Sequence, residues 1–334
     1  MPTAVPTRDT STASSGWQRE LADAIRDPAE LCRALGLQPS TTAWPADFPL
    51  LVPRSFVARM RPGDPHDPLL LQVLPQAREA EPVVGWSADP LRETEAVTAP
   101  GLVRKYAGRG LVLVTGGCAV NCRYCFRREF PYAAHGVSSR GLDAAVAVIA
   151  ADESITEAIL SGGDPLLADD ERLAELIERL DRIRHLRRLR IHTRLPVVLP
   201  SRVTRDLVDA LAGSRLARVL VIHANHPAEI DAAVADAVGA VAAAPSIVLN
   251  QAVLLAGVND SADTLAALSE RLVEIGVIPY YLHMLDRVAG AAHFDVPEWR
   301  ARELHRHLRD TLPGYAVPRL VREVPGEPGK TWIA

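Results

Sequence analysis

From residue 111 onward the chain alternates two hydrophobic periods, and this alternation restricts its fold more than any other feature. Apolar, β-branched runs at 111–115 (LVLVT), 158–161 (AILS), 189–193 (LRIHT), 219–223 (VLVIH), 247–251 (IVLNQ) and 279–285 (PYYLHML) read as buried parallel strands. Between them, 169–183, 228–244 and 261–276 carry apolar residues at three- and four-residue spacing, the mark of amphipathic helices. Six strand–helix units predict an α/β chain built as a partial (β/α)6 barrel, TIM-like but two units short of closure. A doubly wound open sheet is the alternative topology. Barrels of this kind gather their chemistry at the C-terminal ends of the strands. The unusual polar residues fall there: a cysteine-rich loop after the first strand, SGGDP (161–165) after the second, HTR (192–194) after the third, then His223, Gln251 and Asp286.

Residues 17–100 are rich in proline and can hold only short helices between turns. The expected divisions are a disordered tail over 1–16, an N-terminal helical segment over 17–100, the barrel over 101–314 and a C-terminal segment with a short strand over 315–334. No apolar run reaches the roughly 18–20 residues of a membrane span. The first residues lack the charged and apolar regions of a secretory signal. A net charge of −4, with arginines and acids mixed along the chain, leaves no nucleic-acid footprint. Four cysteines in 334 residues make no disulfide framework; clustered thiols without an export signal suggest a reducing cytoplasm.

Three of those cysteines stand within eight positions, at the spacing Cys118-x3-Cys122-x2-Cys125, while Cys32 is remote and reads as a small hydrophobe in a helix core. A structural zinc ion takes four ligands, and a catalytic zinc ion usually includes His or carboxylate among its three. Three thiolates can instead hold three irons of a [4Fe–4S] cluster and leave the fourth iron open to another ligand.

The loop GGCAVNCRYCFRR (116–128), with Tyr124 just before the last cysteine, resembles the signature of the radical SAM superfamily. The resemblance implies that the open iron chelates S-adenosylmethionine, whose reductive cleavage gives an adenosyl radical. It also implies that SGGDP receives the methionine amino group through Gly162, Gly163 and Asp164, glycines allowing close backbone approach. A narrower resemblance runs through PGLVRKYAGRG, HTRLPVVLPSRVT, NHPAEI, NQAVLLAGVND, PYYLHMLD and PGEPGKT, to the lysine 2,3-aminomutase family over roughly residues 68–331. Within that family the match is nearest to the members that make β-lysine for modifying elongation factor P.

The family resemblance implies further roles. Lys330 carries pyridoxal 5′-phosphate, whose phosphate is met by Lys105, Tyr106 and Arg109. Arg127 takes the substrate carboxylate, and His223 and Gln251 line the adenosyl pocket. Asp286 and Glu323 take the ε-ammonium of L-lysine; basic-substrate members commonly have Asp at the second place, so Glu323 is a departure with a longer stem. A buried ammonium needs such paired negative charge. GKT at 329–331 is no phosphate loop, since Val324 stands where its first glycine belongs. Clostridial-type members carry cysteines beyond the cofactor lysine that bind a structural metal; none follows Lys330, which argues against a metal-stapled dimer and leaves a homo-oligomer open. The implied partners are L-lysine, an electron donor such as flavodoxin or ferredoxin, and an elongation factor P lysine ligase that consumes the product. Free β-lysine metabolism, or an iron–sulfur protein without turnover, are the rival readings.

Overall fold

The computed structural model describes residues 16–39, 48–244 and 246–334. The expected tail over 1–16 lies outside these residues except for Gly16, which begins the first helix, Gly16–Ala22. A single ten-stranded sheet runs in strict sequence order: β1 (Val97–Ala99), β2 (Leu102–Val103), β3 (Arg109–Thr115), β4 (Glu157–Gly162), β5 (Arg188–Thr193), β6 (Ala217–Ile222), β7 (Ser246–Val253), β8 (Ile278–His283), β9 (Arg319–Arg322) and β10 (Thr331–Trp332). Strands β3 through β9 pair in parallel, while β1, β2 and β10 are antiparallel additions at the two ends. Because β1 and β10 do not pair with each other, the sheet stays open as a partial barrel.

The six expected strands are β3 to β8, each within a few residues of its predicted bounds. β4 is buried along its whole length, as a parallel strand covered on both faces must be. The crossover helices follow from local chemistry. In Asp170–Asp181, buried Leu173, Leu176, Ile177 and Leu180 make one stripe, and the Asp169 side chain accepts from the Arg172 backbone N–H at 2.8 Å to cap the first turn. Helix Ala262–Glu274 repeats the device, with Leu265, Leu268 and Leu272 buried and Ser261 as its cap. No helix among the described residues is long and apolar enough to cross a membrane.

The proline-rich N-terminal segment is not a separate appendage. Trp17, Ile25, Leu31, Val52, Phe56 and Leu69 belong to the same buried cluster as the strand residues Val112, Leu160 and Leu220. Cys32 is buried in helix Pro28–Ala34. The expected boundary at residue 100 falls in the turn between β1 and β2. The segment also latches onto the cysteine loop. Asn121 N–H donates to Leu51 O at 3.0 Å and Arg123 N–H to Gln72 O at 2.9 Å. The Arg123 side chain is fully buried, donating to Phe48 O at 2.7 Å and, through Nε, to Glu79 Oε1 at 2.9 Å. Arg128 reaches the same carboxylate at 3.1 Å.

One buried carboxylate thus neutralises two guanidiniums, and removing its charge strands both. Glu79→Gln is expected to cost about 3–5 kcal/mol of stability, read as a lowered urea midpoint. A loss below about 1 kcal/mol, as for exposed pairs, would mean that this latch is peripheral.

Candidate active site

A cavity of about 460 Å³ opens at the C-terminal ends of the parallel strands. Every residue singled out above as a candidate lines it, from Lys105 on the approach to β3 to Lys330 just before β10. The topology explains the gathering: in-register parallel strands all deliver their following loops to one rim.

The cysteine loop leaves β3 and is fastened to the end of β4. Gly163 N–H donates to Thr115 O and Asp164 N–H to Gly117 O, both at 2.8 Å. Gly162 has φ +125°, and a Cβ on Gly162 or Gly163 would run into the carbonyl of Thr115 or Gly117. The two glycines are therefore required by the close approach of one backbone to another, the cysteine loop itself. The Asp164 carboxylate is turned inward. It accepts from Thr193 Oγ1 at 2.7 Å and from the backbone N–H groups of Arg194, Leu166 and Leu195 at 2.7, 3.1 and 3.2 Å, tying the β5 turn to the β4 turn.

Burial, then the neighbouring cysteines, pushes the Cys118 thiol well above its ordinary range; burial and Cys122 push Cys125 up to about 11. Thiolates in such a place need cationic partners. Cys122 has one in the protein, since Arg194 Nη1 donates to its Sγ at 2.7 Å, the guanidinium being steadied by Gln72 at 2.7 Å and Glu229 at 3.0 Å. Among the described residues no three His, Cys, Asp or Glu converge on a single-ion site. A four-iron cage takes one thiolate per iron, so its ligands stand apart around it.

The same cavity carries a chain of alternating charges. Lys330 Nζ donates to Glu323 Oε2 at 2.7 Å, and Glu323 Oε1 also pairs with Lys105. Lys105 Nζ donates to Glu93 Oε1 at 3.1 Å, and Glu93 brackets Arg127, with Nε to Oε2 at 2.5 Å and Nη2 to Oε1 at 3.0 Å. Burial alone would raise the Glu323 carboxyl, but Lys330 and Lys105 hold it well below the carboxylate range. Tyr106 lies beside this chain, its phenol pushed up by burial and by Glu323, and the Arg109 guanidinium sits 5.5 Å from its ring centre. A primary amine near several cationic and phenolic groups is a donor set that fits an aldehyde cofactor bearing a phosphate.

Gln251 Nε2 donates to His223 Nε2 at 2.7 Å, and burial, Arg194 and Lys330 bring that imidazole down to about 3, so it is a neutral acceptor. His192 and His283 also line the cavity, with buried Nε2 atoms that have no hydrogen-bond partner among the described residues. Asp286 follows β8; burial, then the charge of Glu323, pushes its carboxyl up to about 7.

Sequence reasoning missed Glu93, Gln72, Tyr132 and His283. Glu93 sits in a short 3-10 turn with no periodic signal, and only its contacts with Lys105 and Arg127 distinguish it. Tyr132 donates to Gly162 O at 2.6 Å, closing the cysteine loop onto β4.

Residues 112–242 match the Radical SAM superfamily. The chain is 48% identical over 320 residues to the L-lysine 2,3-aminomutase of Escherichia coli (strain K12), covering 94% of this chain and 93% of that protein. The Haemophilus influenzae L-lysine 2,3-aminomutase is 46% identical over 322 residues, 95% of each chain. That of Clostridium subterminale is 37% identical over 277 residues, 83% of this chain and 66% of the other.

The state of Asp286 makes a measurable statement about the protein without ligands. A carboxyl raised in the fold binds its proton more tightly there than in the unfolded chain, whose Asp titrates near 3.9, so its burial lowers stability as pH rises. Asp286→Asn is expected to stabilise the unliganded protein. The gain in thermal midpoint should grow between about pH 4 and 7 and level off above. A gain that does not change with pH would contradict the raised carboxyl.

Proposed function

Because the chain belongs to the L-lysine 2,3-aminomutase family of radical SAM enzymes, we propose that it moves the amino group of L-lysine from C2 to C3, making β-lysine with pyridoxal 5′-phosphate carried by Lys330. Membership makes the chain an isomerase that works with a [4Fe–4S] cluster and S-adenosylmethionine. What carries the finer reading is one observation: cationic, anionic and thiol groups suited to two cofactors and an amino acid line the same cavity.

In this reading Cys118, Cys122 and Cys125 hold the cluster, and Gly162, Gly163 and Asp164 shape the wall where S-adenosylmethionine binds, with His223 and Gln251 beside the adenosyl group. Lys105, Tyr106 and Arg109 receive the cofactor phosphate. When bound, the two cofactors supply hydrogen abstraction from the substrate and stabilisation of the migrating amine. The protein's own part is positional. Arg127 offers a guanidinium fixed by Glu93, Ser161 and Gly162 to the substrate carboxylate. At the other end, Asp286 and Glu323 meet the ε-ammonium. A clamp with unlike ends measures side-chain length as well as charge, and it orients the C3 hydrogen. The ammonium replaces cations that Glu323 holds in the unliganded protein, so substrate exchanges one pairing for another and no bare charge is buried. Its arrival beside Asp286 favours the ionised carboxylate, whose pKa in the unliganded protein is about 7.

The product is assigned to the β-lysylation of elongation factor P through a lysine ligase, with flavodoxin or ferredoxin as reductant; the motif resemblance supports this destination. The chemistry is tested by incubating anaerobically reconstituted protein with L-lysine, S-adenosylmethionine, pyridoxal 5′-phosphate and a reductant. β-Lysine should accumulate, and Asp286→Asn or Glu323→Gln should lower its rate by at least about tenfold, as expected for truncating one partner of a buried charge. Lysine left unchanged by protein with an intact cluster would overturn the reading. Elongation factor P that stays β-lysylated after deletion of the gene would remove the destination and leave the chemistry standing.

A further inference from the structure

One carboxylate stands at the join between the two halves of the site. Glu93 is only 2% exposed. Its Oε1 accepts from Lys105 Nζ at 3.1 Å and from Arg127 Nη2 at 3.0 Å, and its Oε2 accepts from Arg127 Nε at 2.5 Å. The opposite edge of the guanidinium is tied as well, Nη1 donating to Ser161 Oγ at 3.0 Å and Gly162 O at 3.1 Å. The plane of Arg127 is therefore fixed from two sides, and Lys105 is set against it through a shared oxygen. Lys105 has three N–H donors, of which Glu93 and Glu323 take two. Among the described residues Arg127 Nη2 has Glu93 as its one acceptor, so its second N–H likewise remains for a ligand.

The backbone that delivers Glu93 is held in an unusual shape. Arg92, the residue before it, has φ +48°, in the left-handed region that non-glycine residues seldom occupy. Asp89 keeps the turn in place: it accepts from Glu93 N–H at 3.0 Å, Thr94 N–H at 3.1 Å and Thr94 Oγ1 at 2.7 Å. A few residues earlier, Ser87 N–H donates to Arg287 O at 3.0 Å and Ala289 N–H to Ser87 O at 2.9 Å, which moors this segment to the loop carrying Asp286. Strain of this kind persists only where the surroundings impose it, and here it brings one acid under two cations.

We infer that Glu93 is a positioning residue that holds Lys105 and Arg127 at one fixed separation, so that a ligand with a phosphate at one end and a carboxylate at the other is received in a single register. This rests on the reading above, in which Lys105 meets the cofactor phosphate and Arg127 the substrate carboxylate. A cofactor joined to an amino acid carries both anions on one framework. Two cations free to drift would bind each anion and leave the carbon between them unplaced. Misplacement by about 1 Å at a reacting centre is enough to cost on the order of 10²-fold in rate. Glu93 also keeps the two cations from repelling each other before any anion arrives.

The test compares wild type, Glu93→Gln and Glu93→Asp after anaerobic reconstitution. Each is titrated with pyridoxal 5′-phosphate by absorbance, and each is assayed for its lysine KM and kcat. In folded Glu93→Gln, the cofactor dissociation constant and the lysine KM should both rise by roughly one to two orders of magnitude, with iron content unchanged. Glu93→Asp, too short to span both cations, should raise at least one of the two by about tenfold. An ion pair that served the fold alone would lower the thermal midpoint and leave both constants at wild-type values; that result overturns the inference. If Glu93→Gln does not fold, Glu93→Asp decides by the same two constants. A wild type that takes up no pyridoxal 5′-phosphate would instead overturn the underlying reading of the site.

Discussion

Charge buried away from water must be paired, and the mouth of this barrel satisfies that requirement with a chain of five groups. Arg127, Glu93, Lys105, Glu323 and Lys330 alternate in sign, each bonded to the next. The members come from the N-terminal segment, the approach to β3, the cysteine loop and the C-terminal hairpin, so the chain also fastens together the parts of the protein that surround the cavity. Anionic ligands can enter such a chain by exchanging partners, which costs far less than desolvating a lone ion. In the proposed function, the arrangement that keeps the unliganded protein stable is also the one that receives a phosphate, a carboxylate and an ammonium.

The cysteine side depends on a different constraint, the close packing of two backbones. Glycines at 162 and 163 let the end of β4 meet the loop after β3, and Asp164 carries the connection on to β5. Arg194, at the end of β5, then reaches back to Cys122. Three successive strand ends are joined before any cluster is bound, which fixes where the thiols stand. Lys330 and the cysteines face one cavity because strand order and sequence order coincide from β1 to β10.

Much of this was legible in the sequence, where the information is local. The strands β3 to β8 follow from runs such as LVLVT and VLVIH, and the cysteine spacing needs no structure to be recognised. The family resemblance carried Lys330, Asp286 and Glu323, which periodicity alone would have left as a tail, a loop and a surface position. Glu93 was not legible. Its partners are 12 and 34 residues away, and its neighbours Arg92, Thr94 and Glu95 give it no pattern. The role of the proline-rich segment was hidden for the same reason: Glu79 and Gln72 act on Arg123 and Arg194, contacts that only the tertiary fold creates. The short strand expected within 315–334 begins with the four-residue β9, but its register was not legible: it extends the parallel sheet and sets Glu323 beside Lys105.

In the proposed function the two lysines of this chain divide the work, Lys330 forming the covalent bond to the cofactor and Lys105 serving as its ionic partner. The most direct measurement is borohydride reduction of the enzyme loaded with pyridoxal 5′-phosphate, followed by peptide mapping by mass spectrometry. A phosphopyridoxyl group is expected on Lys330 and none on Lys105. Label on Lys105, or on neither lysine, would contradict this division.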